Sequence, residues 1–259
     1  YRRVSLMPQD MTHPGSVFGD LFVFRLLSQT GAGLPITATL KLTDAVRRAL
    51  LDLAGESPPD LLNGRGRHPH CAYVALPFVG TKYADGHIMG FALVLPNNLE
   101  IGNRRAILRV LGRFHEASKI VIPDVGDWTA EYLAGEPTGK TLNPRTWTRP
   151  ARQWHSATPV LFDQFPKNGK PGRTAGEIIS RSCEHVGLPR PIEVKVSPYA
   201  SLAGVEPAGE FFIRRRREDV PRYAAHVTLV FEQKVRGPVL LGAGRYFGLG
   251  LMHPVEATS

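Results

Sequence analysis

Residues 71–95 hold the reading that decides the fold: Cys71-Ala-Tyr-Val-Ala-Leu-Pro-Phe-Val79, then Gly80 to His87, then Ile88-Met-Gly-Phe-Ala-Leu-Val-Leu95. Two apolar runs rich in β-branched and aromatic residues, separated by a Gly- and Asp-containing segment, predict a β-hairpin with a loop. Upstream, Leu21 to Leu27 suits a strand. Thr43 is placed to cap a helix carrying Val46, Ala49, Leu50 and Leu53 on one face and ending at Gly55. Downstream, Asn103 is placed to cap a helix with Ile107, Val110, Leu111 and Phe114 on one face, and the run Ile120 to Ile122 follows. The order is βαββαβ, the ferredoxin-like pattern shared with RNA-recognition modules.

A second set of elements follows a change of composition. From Asp124 to Trp154 the chain is rich in Pro, Gly, Thr, Arg and Trp with weak periodicity, and an inter-domain crossing is expected there. Val160 to Phe162 opens a new strand set. Thr174 and Glu177 form a Thr-x-x-Glu capping box ahead of a helix lined by Ile179, Cys183 and Val186. Ile192–Val196, Glu210–Ile213 and Ala225–Phe231 are further strand candidates. The expected organisation is a lead-in segment over 1–20, a domain over 21–125, a linker over 126–155 and a second domain over 156–259, in an α+β fold. The start at Tyr1, without methionine, is expected to be one part of a longer polypeptide.

The chain has 259 residues and a formal net charge of +9, a balance that attracts polyanions such as nucleic acid or an anionic membrane face. No apolar run reaches eighteen residues, so no membrane span is expected, and no basic-then-apolar leader points to export. A cytosolic protein is the simplest expectation. Cys71 and Cys183 stand alone and read as packed thiols.

Gly237 to Gly250, Gly-Pro-Val-Leu-Leu-Gly-Ala-Gly-Arg-Tyr-Phe-Gly-Leu-Gly, carries five glycines in fourteen residues. Only nine residues follow, too few for a dinucleotide-binding unit. Such a stretch either turns tightly or presents backbone to a phosphate, with Arg245, Tyr246 and Phe247 at its tip. Arg214, Arg215, Arg216 and Arg217 follow Phe211 and Phe212, with Arg222 and Tyr223 beyond. Guanidinium forks beside aromatic faces suit single-stranded RNA, and a solvated loop is the bland alternative.

Histidines offer two chemistries. His68 and His70 stand at the mouth of the first hairpin strand and His87 at the start of its partner, so pairing is expected to bring them to one neighbourhood. They can exchange protons with a ribose hydroxyl and a leaving oxygen. Alternatively His68, His70, Asp85 and His87 gather around a metal. His155 and His226 are weaker candidates. Asp124 and Asp127 lack the further acidic partners of a two-metal nuclease.

Val235 to Met252 resembles the glycine-rich loop of the RAMP superfamily of CRISPR-associated proteins, and more closely the processing half of the fused RAMP protein of type I-U, or I-G, systems. Cys71 to Val79, Ala84-Asp-Gly-His-Ile88, Thr158-Pro-Val-Leu-Phe-Asp-Gln-Phe-Pro166 and His226-Val-Thr-Leu-Val-Phe231 are similar to the same family. The resemblance implies two tandem ferredoxin-like (RRM-like) domains with a C-terminal glycine-rich loop. It implies an endoribonuclease that cuts precursor CRISPR RNA within repeats by 2′-hydroxyl attack without a metal or cofactor. It also implies a prokaryotic, cytoplasmic protein that hands its guide RNA to a type I interference complex. Catalysis is expected from His70, then His87, with His68 near them and Tyr73 or an arginine stabilising the phosphorane charge. RNA contacts are expected from Arg214 to Arg217 and from Gly242, Gly244, Arg245, Tyr246, Gly248 and Gly250. A non-catalytic RNA-binding subunit and a metal-dependent nuclease are the alternatives.

Overall fold

A computed structural model describes residues 13–28, 31, 33–64, 69–135, 139–167, 169–211 and 222–256. Strand β1 (Phe18–Ser28) leads through a short 3-10 turn to α1 (Thr39–Ala54) and the single turn α2 (Asp60–Asn63). The hairpin β2 (Ala72–Pro77) and β3 (Ile88–Pro96) forms with Ala72 opposite Val94 and Pro77 opposite Ile88. Helix α3 (Ile101–Ala117) precedes β4 (Lys119–Ile122) and β5 (Gly126–Tyr132). These strands make one antiparallel sheet in the order β2-β3-β1-β5-β4.

The stretch 126–155, expected to be a linker, is a correction. It contains β5, the short helix α4 (Pro144–Thr148) and most of β6 (Ala151–Ser156). In β5, Trp128 and Ala130 are buried, Tyr132 packs beside Phe24, and these alternate with the polar Asp127, Thr129 and Glu131, so the strand turns only short apolar character toward the core. The apolar run Ile120–Ile122 is the sheet edge, outside β5.

Strands β7 (Val160–Leu161), β8 (Glu193–Ser197), β9 (Ala224–Val235) and β10 (Met252–Val255) belong to the second half, with α5 (Ala175–His185) between β7 and β8. Strand β6 pairs with β10 and β9, β7 takes up β9 where β6 leaves it, and β8 pairs with β9. Leu229 is bonded to Trp154 on one side and Val194 on the other, so β6 and β8 flank β9. The capping box forms as expected: Thr174 Oγ1 accepts from the Glu177 amide at 3.3 Å and Glu177 Oε2 accepts from the Thr174 amide at 3.0 Å. The expected caps of the first half do not. Thr43 and Asn103 both lie inside their helices, which begin at Thr39 and Ile101. The strand expected over Glu210–Ile213 is also corrected: Ala208–Glu210 is a 3-10 turn, and residues from 212 lie outside the described ones.

Both faces of the first sheet are covered. Phe24, Tyr73, Phe91 and Leu93 pack under α1 and α3 with Leu42, Val46, Leu50, Ile107 and Phe114. On the other face Val23, Val74, Leu76, Ala92 and Val94 share a core with Trp147, Trp154, Val160, Phe231, Leu241 and Leu251. The near-continuous apolar character of β2 and β3 follows from burial on both sides. Residues 14–17 also tie onto the second half, through the Ser16 hydroxyl to the Pro238 carbonyl at 2.6 Å and the Val17 amide to the Val186 carbonyl at 2.8 Å. No helix among the described residues is long and apolar enough to cross a membrane.

Candidate functional site where the two halves meet

The chain between β9 and β10 closes by a 3-10 turn, Arg245–Phe247, which lies against β2 and the N-terminal half of α1. The Thr43 hydroxyl donates to the Phe247 carbonyl at 2.8 Å, and the Thr158 hydroxyl donates to the Gly248 carbonyl at 3.0 Å. Gly248 has φ +90, and a Cβ there would meet the Thr43 and Thr39 methyl groups at 2.8 and 2.9 Å. Glycine is required because the turn is seated directly on α1.

Most of the glycine stretch serves packing rather than display. The amides of Gly242, Ala243, Arg245, Phe247, Leu249, Gly250 and Leu251 all donate to protein acceptors. Gly250 comes so near Leu241 that a Cβ would lie 2.0 Å from its carbonyl oxygen. The expectation of a backbone surface laid open along this stretch is corrected accordingly. What the stretch does present is its tip. Phe247 is 49% exposed, and the half-buried Tyr246 packs against Phe18 with ring centroids 5.9 Å apart. The Arg245 guanidinium lies 4.8 Å from the Tyr246 ring centroid and donates to its own loop at the Gly242 carbonyl at 2.8 Å. Arg245 is thus pre-oriented rather than a free arm.

His70 arrives from the other half. The Cys71 amide bonds the Leu61 carbonyl at 3.0 Å, fixing the chain as it enters β2, and the His70 ring sits edge-on to Tyr246 with centroids 5.5 Å apart. On α1, one turn beyond Thr43, Arg47 reaches the Asn63 carbonyl at 2.7 Å. An imidazole, a phenol and the Arg245 guanidinium therefore gather around one seam. Such a set can move protons and stabilise negative charge. Thr43 is legible in the sequence only as a helix cap and Arg47 not at all, because what places Thr43 at the site is a contact with a residue 204 positions away.

The remaining candidates separate. His87 lies at the opposite end of the hairpin from His70, because the antiparallel register places Ala72 and Ile88 at opposite ends. The paired residues Ala72–Pro77 alone span about 17 Å at roughly 3.4 Å per residue. One phosphate cannot be served by both, nor can His70 share a metal with Asp85 and His87. Instead His87 Nδ1 contacts Asp85 Oδ1 at 2.5 Å, an interaction that holds the Asp85 carboxyl below its usual range. Among the described residues no group of three or more His, Cys, Asp or Glu side chains is arranged to hold a metal.

Tyr73 is a core residue, 2% exposed, with its hydroxyl donating to the Leu62 carbonyl at 2.9 Å, and burial pushes its phenol further up. It is out of reach of a phosphorane. Asp124 and Asp127 pair with Lys41 and Lys119. His226 is buried between the Ser156 hydroxyl and the Glu206 carbonyl, each at 3.0 Å, and burial lowers its pKa. Both cysteines are free and buried, and burial pushes each thiol up to about 12. His68 and Arg214 to Arg217 lie outside the described residues. Tyr223 packs between Phe162 and Phe165.

A family of CRISPR-associated proteins, the GSU0054 family, matches residues 7–254, nearly the whole chain. The chain belongs to that family. No curated protein matches it by sequence. Among solved structures, a CRISPR-associated Cas6 protein is 12% identical, over 91% of this chain and 99% of its own, with a TM-score of 0.43. A Cas6-related protein from Pyrococcus furiosus is 11% identical over 92% and 99%, with a TM-score of 0.42. A Cas6 product complex is 14% identical over 91% and 99%, with a TM-score of 0.43. In this GSU0054-family chain, two antiparallel sheets meet where the tip of the glycine stretch meets His70.

Proposed function

We propose that this GSU0054-family protein is a metal-independent endoribonuclease that cuts precursor CRISPR RNA within its repeats. The observation that carries the reading is the 5.5 Å approach of His70 to Tyr246, which joins an imidazole from one half to the Arg245–Tyr246 pair of the other. In this reading His70 takes the proton of the ribose 2′-hydroxyl or returns one to the leaving 5′-oxygen. Arg245, held over Tyr246, offsets charge building on the phosphate, and exposed Phe247 offers a face for a base. The products are a cyclic phosphate and a 5′-hydroxyl.

The architecture supports the same proposal. In each half the first strand lies between the third and the last, β5-β1-β3-β2 and β10-β6-β9-β8, which is the order of tandem ferredoxin-like domains. The glycine stretch then stands where the second domain would carry its second helix. Membership of a type I-U or I-G system, retention of the guide RNA and transfer to an interference complex in a prokaryotic cytoplasm belong to this reading.

A labelled repeat hairpin incubated with the protein in EDTA tests it. Cutting that persists, and that a 2′-deoxy substitution at the cut site or His70→Ala abolishes, supports the proposal. Cutting lost in EDTA and restored by manganese sinks the metal-free reading. Tight binding without cutting leaves an RNA-binding subunit.

A further inference from the structure

Helix α3 carries an unexplained arginine ridge. Arg105, Arg109 and Arg113 are all exposed and follow one another at four-residue intervals, on the side of the helix opposite the buried Ile107, Val110, Leu111 and Phe114. Residues at this spacing lie on one face, about 6 Å apart along the axis. Like charges so placed repel and destabilise a helix. No carboxylate among the described residues forms an ion pair with any of the three, and the only recorded bond of the ridge runs from Arg113 to the Leu53 carbonyl at 3.0 Å. Arg104, by contrast, is tied to Asp20 at 2.6 Å and serves the fold.

Gly112 adds an independent observation. It stands on the same outer face beside Arg109 and two turns beyond Arg105, in the interior of a helix, where glycine is unfavourable. Nothing lies within 4 Å of where its Cβ would be. The protein gains no packing from this glycine. Bare backbone beside the Arg105 and Arg109 positions leaves room for a bulky anion to come close.

We propose that this face of α3 is a second RNA-binding site, in which Arg105, Arg109 and Arg113 engage successive phosphates of one RNA strand. The ridge reads no sequence, because guanidinium-to-phosphate contacts position a nucleic acid without distinguishing its bases. It anchors the repeat RNA away from the bond held at His70. The inference rests on the RNA-binding part of the proposed function and not on cleavage.

The test is the salt dependence of affinity for a labelled repeat hairpin, with Arg105→Gln/Arg109→Gln compared with the unaltered protein and with Arg105→Lys/Arg109→Lys. Neutralising two phosphate contacts lowers the slope of log affinity against log salt by about 1.5. The lysine pair restores most of that slope, and the glutamine pair lowers affinity equally for an unrelated RNA stem. Circular dichroism and thermal melting confirm that the glutamine variant is folded, with a midpoint no lower than that of the parent. An unchanged slope overturns the proposal and leaves the ridge to an acidic protein surface. His70→Ala separates the two claims: loss of cutting with the slope intact supports both. A protein that binds with the expected slope change but never cuts refutes the cleavage reading alone.

Discussion

The hydroxyl of Thr43 donates to the carbonyl of Phe247 across 2.8 Å, joining the first helix to the tip of the glycine stretch over 204 positions of sequence. Thr43→Val keeps the shape and removes the donor, leaving a part-buried carbonyl unpaired. The expected cost is about 1 kcal/mol of stability. A larger fractional loss of RNA cutting is expected, because Tyr246 and Arg245 lose their seat. Denaturant unfolding and single-turnover cleavage, measured on the same preparation, separate the two effects.

His70 and His87 give opposite outcomes. His70→Ala is expected to slow cutting by about 10²- to 10⁴-fold, the usual contribution of a general acid or base, with affinity little changed. His87→Ala is expected to leave both unchanged, because the hairpin holds it at the far end and Asp85 occupies its Nδ1. Equal losses from the two variants would refute the placement of the site at the glycine tip.

Gly250→Ala places a methyl 2.0 Å from the Leu241 carbonyl oxygen at φ +74. Steric overlap and left-handed strain together are expected to cost roughly 2–4 kcal/mol. The loss appears as a lower denaturant midpoint. RNA affinity per folded molecule is expected to stay close to that of the parent, since the Gly250 amide is already bonded to the Pro159 carbonyl at 2.9 Å.

His253 sets a pH dependence. Burial, then the neighbouring Arg149 and His155, lower its pKa from 6.5 to about 4. Its ring also meets Trp147 edge-on at 5.3 Å. The unfolded imidazole takes up a proton that the folded one refuses, so the contribution is complete above pH 6.5 and is lost as pH falls toward 4. The difference is worth about 3 kcal/mol. Unfolding curves across that window are expected to flatten in His253→Asn, and a parallel loss in the variant would assign the dependence elsewhere.

The first sheet was readable because its signals are local. Apolar runs, a hairpin spacing and two amphipathic helices each act within a few residues, and the pattern placed β1, α1, β2, β3 and α3 within a few residues of where they lie. Strand β5 escaped because its inward residues, Trp128, Ala130 and Tyr132, alternate with polar ones in a stretch rich in Gly, Asp and Thr, and β10 because His253 interrupts its apolar pattern. The family resemblance was equally legible, in runs such as Thr158 to Pro166 and the glycines of 237–250, since close backbone approach demands glycine whatever the partner.

Sequence alone therefore determined the α+β class, the basic charge and the family. Only the tertiary structure decided which candidates meet. Antiparallel register sent His70 and His87 to opposite ends of one hairpin, and burial on both faces made Tyr73 a core residue. The seat of Tyr246 beside His70 depends on Thr39, Thr43 and Thr158 lying under one turn. Contacts between residues so far apart in the chain follow from how the two sheets pack, and no local pattern encodes them.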